Sequence, residues 1–272
     1  MKARLTAALL ALAIVCALCS CAKKAEPIPL AVDTPPATAT PSETPTAAEP
    51  TLLPTAAPDV PLVYTTLDAT PTALAVLDDG DIAELIASIE LTDLPATQGF
   101  YYSALSTEDE KHCVYSYLEI GGVRYDLGMV MYGESGIEWY SFKMITGAVD
   151  ATETQVFSQP RAYGATAVVS SYYTISDGVP MHITDIDGYI ELRDFDADGY
   201  IEILASVYGT PATGIIYKFD IVNNAVRQAD LAALLGCGYV IYHDEQQVFI
   251  TYDENIKAGP EYILMNGAFI QK

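Results

Sequence analysis

Residues 191–204 read Glu-Leu-Arg-Asp-Phe-Asp-Ala-Asp-Gly-Tyr-Ile-Glu-Ile-Leu. On either side of the acidic centre, in 189–195 and 200–208, apolar and polar residues alternate with the period of a strand rather than a helix. The centre spells D-x-D-x-D-G-x-x-E: Asp194, Asp196, Asp198, Gly199 and Glu202. Alternate carboxylates on a tight loop converge on one side, and calcium wants six to eight oxygens at roughly 2.3–2.6 Å. Gly199 permits the sharp turn, and the Tyr200 carbonyl is available as a further ligand. An EF-hand is excluded, because the twelfth position counted from Asp194 is Ala205 rather than glutamate and the flanks are not helical. The reading is one calcium ion held by Asp194, Asp196, Asp198, Tyr200 and Glu202 between two strands. The competing reading is an Asx-turn whose aspartates accept backbone N–H groups. Three aspartates at this spacing exceed that need, and without a cation they repel one another.

Working outward, short apolar or alternating runs end on turn dipeptides. Residues 112–120 meet Gly121-Gly122, 167–175 lead to Asp177-Gly178, 215–222 meet Asn223-Asn224, and 262–265 meet Asn266-Gly267. Such pairs accept the positive φ of primed hairpin turns. Asp187-Gly188 reads as one more hairpin turn, a partial echo of the main loop with Ile183 where a first aspartate would stand. Two short helices are predicted: Asp81–Glu90, with Asp81 as N-cap, and Asp230–Leu235, capped by Asp230 and closed by Gly236. Asp78-Asp79-Gly80-Asp81 reads as a cap rather than a ligand set, and Trp139 as core. The class is all-β: antiparallel hairpins in a partial or small β-propeller, or alternatively a β-sandwich, with one or two short helices.

The acidic loop between strands resembles the FG-GAP or VCBS-type repeat of integrin-like β-propellers, over residues 180–240 and most closely over the loop. That resemblance implies propeller blades and a structural calcium. The loop occurs here once in full, where a whole propeller of that kind carries several.

The N-terminus has a different character. Lys2 and Arg4 precede an apolar run, Leu5 to Leu18, too short for the roughly 20 residues a membrane span needs. It ends Leu18-Cys19-Ser20-Cys21, which resembles a lipobox. The expectation is a lipoprotein signal peptide over 1–20 and a lipidated Cys21, anchored stably because a diacylglyceryl-cysteine supplies at least two chains. Residues 22–60 are rich in proline, threonine and alanine, without apolar periodicity, and read as a disordered linker reaching about 120 Å. The folded part is then 61–272.

That part holds nine basic and thirty-one acidic residues within a chain of net charge −23. Nucleic acid is excluded as a partner, since phosphate binding needs clustered Lys and Arg. Cys113 and Cys237 either pair in an oxidising exterior or stay as buried thiols. His112, His182 and His243 stand in no HExxH and read as strand residues, and no G-x-S-x-G, P-loop or dinucleotide fingerprint occurs. Gly133-Glu-Ser-Gly136 is a turn. The expectation is a lipid-anchored module on the extracytoplasmic side of a bacterial membrane, binding an extracellular protein or glycan without catalysis. The alternative is an exported cell-wall or glycan hydrolase or its accessory domain, which needs two carboxylates converging in a cleft roughly 5–10 Å apart. A transporter's solute-binding protein is disfavoured for want of helices.

Overall fold

A computed structural model describes residues 58–162, 168–207 and 213–272, all within the compact unit Thr55–Lys272. Cys21, the signal segment and most of the linker lie outside the described residues. The chain is all-β. It first lays down β1 (Val60–Pro61), β2 (Thr65–Asp68) and β3 (Thr72–Ala73). Four meanders follow in sequence. Sheet 1 is β4 (Ile82–Glu90), β5 (Ala96–Ser103), β6 (Cys113–Ile120) and β7 (Val123–Tyr132). Sheet 2 is β8 (Lys143–Met144), β9 (Val156–Ala162), β10 (Val168–Ser176) and β11 (Val179–Asp187). Sheet 3 is β12 (Tyr189–Arg193), β13 (Glu202–Val207), β14 (Thr213–Asp220) and β15 (Ala225–Asp230). After the single described α-helix, α1 (Leu231–Leu235), sheet 4 is β16 (Tyr239–His243), β17 (Val248–Tyr252), β18 (Ala258–Met265) and β19 (Ala268–Gln271). Consecutive four-stranded antiparallel meanders are how propeller blades are built.

The predicted turns explain the meanders. Ile120 pairs with Val123, Ser176 with Val179 and Met265 with Ala268. Each pair is closed by two residues of positive φ: Gly121-Gly122, Asp177-Gly178 and Asn266-Gly267. Asn223-Asn224 closes differently, through a 3-10 turn at Ile221–Asn223 with Asn224 left-handed. Asp230 caps α1 by accepting the Ala233 N–H at 3.1 Å, and Gly236 ends it at φ 62°.

Apolar clusters join neighbouring sheets. Leu118 and Leu127 of sheet 1 meet Phe142, Phe157 and Tyr173 of the second unit. Tyr172, Ile183 and Ile186 meet Ile203, Phe219 and Val226 between sheets 2 and 3. Leu204 and Ile216 meet Val240, Phe249 and Phe269 between sheets 3 and 4. The segment before sheet 1 acts as a strap across this stack. Its β1 pairs with β19, β2 with β15, β3 with β11, and Val76 bridges to Tyr125 on β7. The strap therefore crosses the last strand of sheets 4, 3, 2 and 1 in turn. It also places one side chain or more against each inter-sheet cluster: Leu62 and Tyr64, then Ala69, then Leu74.

Four expectations are corrected. Residues 82–90 form strand β4, not a helix. Two register shifts, at Ile82/Glu84 and Leu85/Ala87, insert extra residues. A bulge breaks strict alternation, so Ile86, Ala87 and Ile89 can all pack on one cluster and imitate a helical spacing. Asp78 and Asp81 do cap, with the Asp78 N–H donating to Asp81 Oδ2 at 3.0 Å, but around a single 3-10 turn. Asp187-Gly188 is no hairpin, since β11 belongs to sheet 2 and β12 to sheet 3 and Gly188 turns the chain between them. Trp139 is 74% exposed. Gly136, left-handed at φ 78°, starts a 3-10 turn whose Ile137 and Tyr140 face sheet 1 while Trp139 faces outward. Finally, His112 sits in the turn before β6, whereas His182 and His243 are strand residues as read. Cys113 and Cys237 are free thiols.

Candidate metal centre

The hairpin β12–β13 is closed in register by Arg193 opposite Glu202, and the acidic loop lies between them. Ala197 and Gly199 take positive φ, 62° and 91°, which folds the loop back on itself. Asp194, Asp196, Asp198 and Glu202 then present one oxygen each, all within 4.8 Å of one another. Among the described residues this is the one group of carboxylate, histidine or cysteine side chains close enough to share a metal.

The aspartates also serve the loop's own backbone. The Asp198 N–H donates to Asp194 Oδ1 at 3.1 Å and to Asp196 Oδ1 at 3.2 Å. The Gly199 N–H donates to Asp194 Oδ2 at 3.0 Å, and the Tyr200 N–H to Asp198 Oδ1 at 3.1 Å. The Asx-turn reading is thus realised, but it does not account for Glu202. That side chain is 0% exposed. Its Oε2 accepts the Phe195 N–H at 2.7 Å and the Asp196 N–H at 3.4 Å. Its Oε1 is buried and pairs with Lys218 Nζ at 3.0 Å.

Lys218 and Tyr64 were not foreseen. On β14, Tyr217 and Phe219 face the cluster between sheets 2 and 3, while Ile216 faces the one between sheets 3 and 4. Lys218 shares the side of Ile216, one residue past the Ile203–Tyr217 pair, and so reaches the loop. A lysine at an alternating position inside an apolar strand was the available signal. Its ammonium pairs with Asp196 Oδ2 at 3.1 Å, with Glu202 Oε1, and still more closely with Asp198 Oδ2. The Tyr200 ring flanks it at 5.8 Å. Tyr200 thereby contributes its ring and N–H, alongside the four clustered carboxylates. The Tyr64 hydroxyl, on the strap, is buried without a hydrogen-bond partner. Burial first, then the charges of Glu202, Asp196 and Asp198, push its pKa up.

Titration follows the same geometry. Burial pushes the Glu202 carboxyl above its ordinary value, and Lys218 and the Phe195 N–H offset this only in part. Burial works in the same direction on Asp198, but Lys218 and the Tyr200 N–H outweigh it and hold that carboxyl low. Burial would lower Lys218, but its bonds to Asp198, Glu202 and Asp196 win and raise it.

These four carboxylates could hold a metal ion. Ligands on opposite sides of calcium stand about 4.6–5.2 Å apart, twice the metal–oxygen distance. The four carboxylates lie within about that size of one another and offer only oxygens, but three of the four side chains are now paired with Lys218.

Of the echo residues, Asp185 is engaged elsewhere: its Oδ1 lies 3.0 Å from His182 Nε2 and accepts from Ser171 Oγ. Compared with protein-family models, with curated proteins and with solved structures, the chain matches none.

Proposed function

We propose that this chain is a lipid-anchored module on the extracytoplasmic face of a bacterial membrane, non-enzymatic, with one calcium ion stabilising the β12–β13 hairpin. The observation that carries the metal part is the convergence of Asp194, Asp196, Asp198 and the fully buried Glu202 within 4.8 Å. A divalent cation there would complete the neutralisation of four carboxylates that the single charge of Lys218 only begins. The acidic loop's likeness to FG-GAP and VCBS-type repeats, and the succession of four-stranded meanders, support a structural role for the ion. The lipobox-like Leu18–Cys21 and the proline-rich stretch after it support the anchored, displayed placement. The partner in this reading is an extracellular protein or glycan.

Calorimetric calcium titration of residues 22–272 after chelator treatment tests the metal part. One-to-one binding, lost in Asp196→Ala and Asp198→Ala and accompanied by a raised melting temperature, is the expected result. No heat and no thermal shift at millimolar calcium would remove the metal from the reading. Radiolabelled palmitate incorporation that disappears in Cys21→Ser tests the anchor.

A further inference from the structure

Three hairpin ends of sheets 3 and 4 come together beside the acidic cluster. The β12–β13 loop, the β16–β17 turn and the end of β18 enclose a groove of about 350 Å³, within the size range of small-ligand sites. Its floor is apolar, made by Phe195, Phe249 and Leu264 of the cluster between these sheets. Its walls are polar, with Arg193 and Tyr242 and the exposed carboxamides of Gln246 and Gln247 on the β16–β17 turn.

We infer that this groove binds a short segment of an uncharged glycan, with the Tyr242 ring as stacking platform and the two carboxamides as partners of the sugar hydroxyls. This rests on the partner named in the reading above, and gives that partner a chemical class and a place on the chain. A sugar ring presents an apolar C–H face bordered by hydroxyls, which an aromatic ring beside carboxamides matches. The half-buried Tyr242 ring is held in place before a ligand arrives. Its centroid lies 4.7 Å from that of Phe249, Phe195 meets it edge-on at 5.7 Å, and its hydroxyl accepts from Arg193 at 3.0 Å. A ring fixed on three sides loses little freedom on binding.

Charge selects against ionic ligands. The one cationic side chain of the groove, Arg193, is committed to the Tyr242 hydroxyl and offset by Glu191. Its one carboxylate, Asp194, gives its oxygens to the Asp198 and Gly199 N–H groups. What remains for a ligand is the ring, the exposed Met265 side chain and the two amides, and each amide offers both donors and an acceptor, as hydroxyls require. An anionic polymer would in addition meet a chain of net charge −23.

The test is binding of the unlipidated chain, residues 22–272, to an array of immobilised oligosaccharides, with neutral hexose and N-acetylhexosamine polymers beside uronic-acid and sialylated ones. Calorimetric titration with the strongest neutral binder follows, on wild type, Tyr242→Ala, Tyr242→Phe and the double variant Gln246→Ala/Gln247→Ala, with melting temperatures as the check of folding. The expected result is binding to neutral oligosaccharides, weakened at least about tenfold in Tyr242→Ala and about threefold or less in Tyr242→Phe. The double variant, changed only at exposed side chains, should bind about tenfold more weakly at an unaltered melting temperature. Binding that survives both Tyr242→Ala and the double variant refutes the groove and leaves a glycan as partner elsewhere on the chain. Binding confined to charged oligosaccharides refutes the uncharged class. Binding to none refutes the groove and leaves an extracellular protein as partner, while the calcium and palmitate experiments decide the remainder of the reading independently.

Discussion

Replacing Glu202 by alanine separates the buried carboxylate's work from that of its exposed neighbours. Its side chain is entirely out of solvent, so nothing from water replaces what is lost. Removing Oε2 strands the Phe195 N–H, now held at 2.7 Å in the interior, at a cost of about 1–3 kcal/mol. Removing Oε1 takes one of three partners from Lys218, so only part of the roughly 3–5 kcal/mol for breaking a buried ion pair applies. The two together come to about 3–4 kcal/mol. For a domain of this size that lowers the melting temperature by about 10 °C. Glu202→Gln keeps an oxygen for the Phe195 N–H but turns an amide NH2 toward the Lys218 ammonium, so it should cost about 1–2 kcal/mol, less than the alanine variant. The assay is urea denaturation in chelator, which keeps metal out of the comparison, with the two variants read against wild type. A loss below about 1 kcal/mol for the alanine variant, or equal losses for the two, would refute the reasoning, because the loop would then not hang on this acceptor.

Three other outcomes follow from the packing. Burial pushes the Asp185 carboxyl up, but His182 and Ser171 outweigh it and hold it below its ordinary value. Its stabilising effect is therefore present at neutral pH and lost as pH falls through the depressed value. The melting-temperature gap between wild type and Asp185→Asn should narrow below pH 3.8, and a gap independent of pH would contradict this. A methyl group added at Gly99 would come within 2.1 Å of the buried Tyr117 ring on the paired strand, so Gly99→Ala should cost about 1–3 kcal/mol in chemical denaturation. Tyr64→Phe removes a buried hydroxyl without a partner and should be neutral or stabilising by up to about 1 kcal/mol. A clear loss would mean that this hydroxyl hydrogen-bonds Asp196.

What the sequence made legible was local. Gly121-Gly122, Asp177-Gly178 and Asn266-Gly267 announce their hairpins because positive φ is a property of two residues. Asp230 and Gly236 announce α1 for the same reason, and the acidic loop converges because its spacing is short. What stayed hidden depends on distant partners. The strap's pairing segments are two to four residues long, exposed apart from half-buried Val60, and hydrogen-bonded to strands more than a hundred residues away. No periodicity marks them off from the proline-rich chain before them. The bulges of β4 corrupt the very alternation by which a strand is recognised. Lys218 enters the site through sheet pairing, sixteen residues from Glu202 in sequence but next to it across the hairpin.

The strap and the acidic loop meet in one apolar cluster, and this ties the ends of the domain to its most charged point. Leu62 and Tyr64 pack with Phe195, Leu204 and Ile216 between sheets 3 and 4. Phe195 belongs to the loop, and its N–H is held by Glu202. A loop that opens shifts Phe195 and loosens the floor under the strap; a strap that peels away exposes Tyr64 and lets water into the neighbourhood of Glu202. Water there weakens every ion contact Lys218 makes, because those contacts gain their strength from a low local dielectric. The strap is also where the chain enters the folded unit, at β1 on the edge of sheet 4. Strap and carboxylate cluster therefore stabilise one another through Phe195.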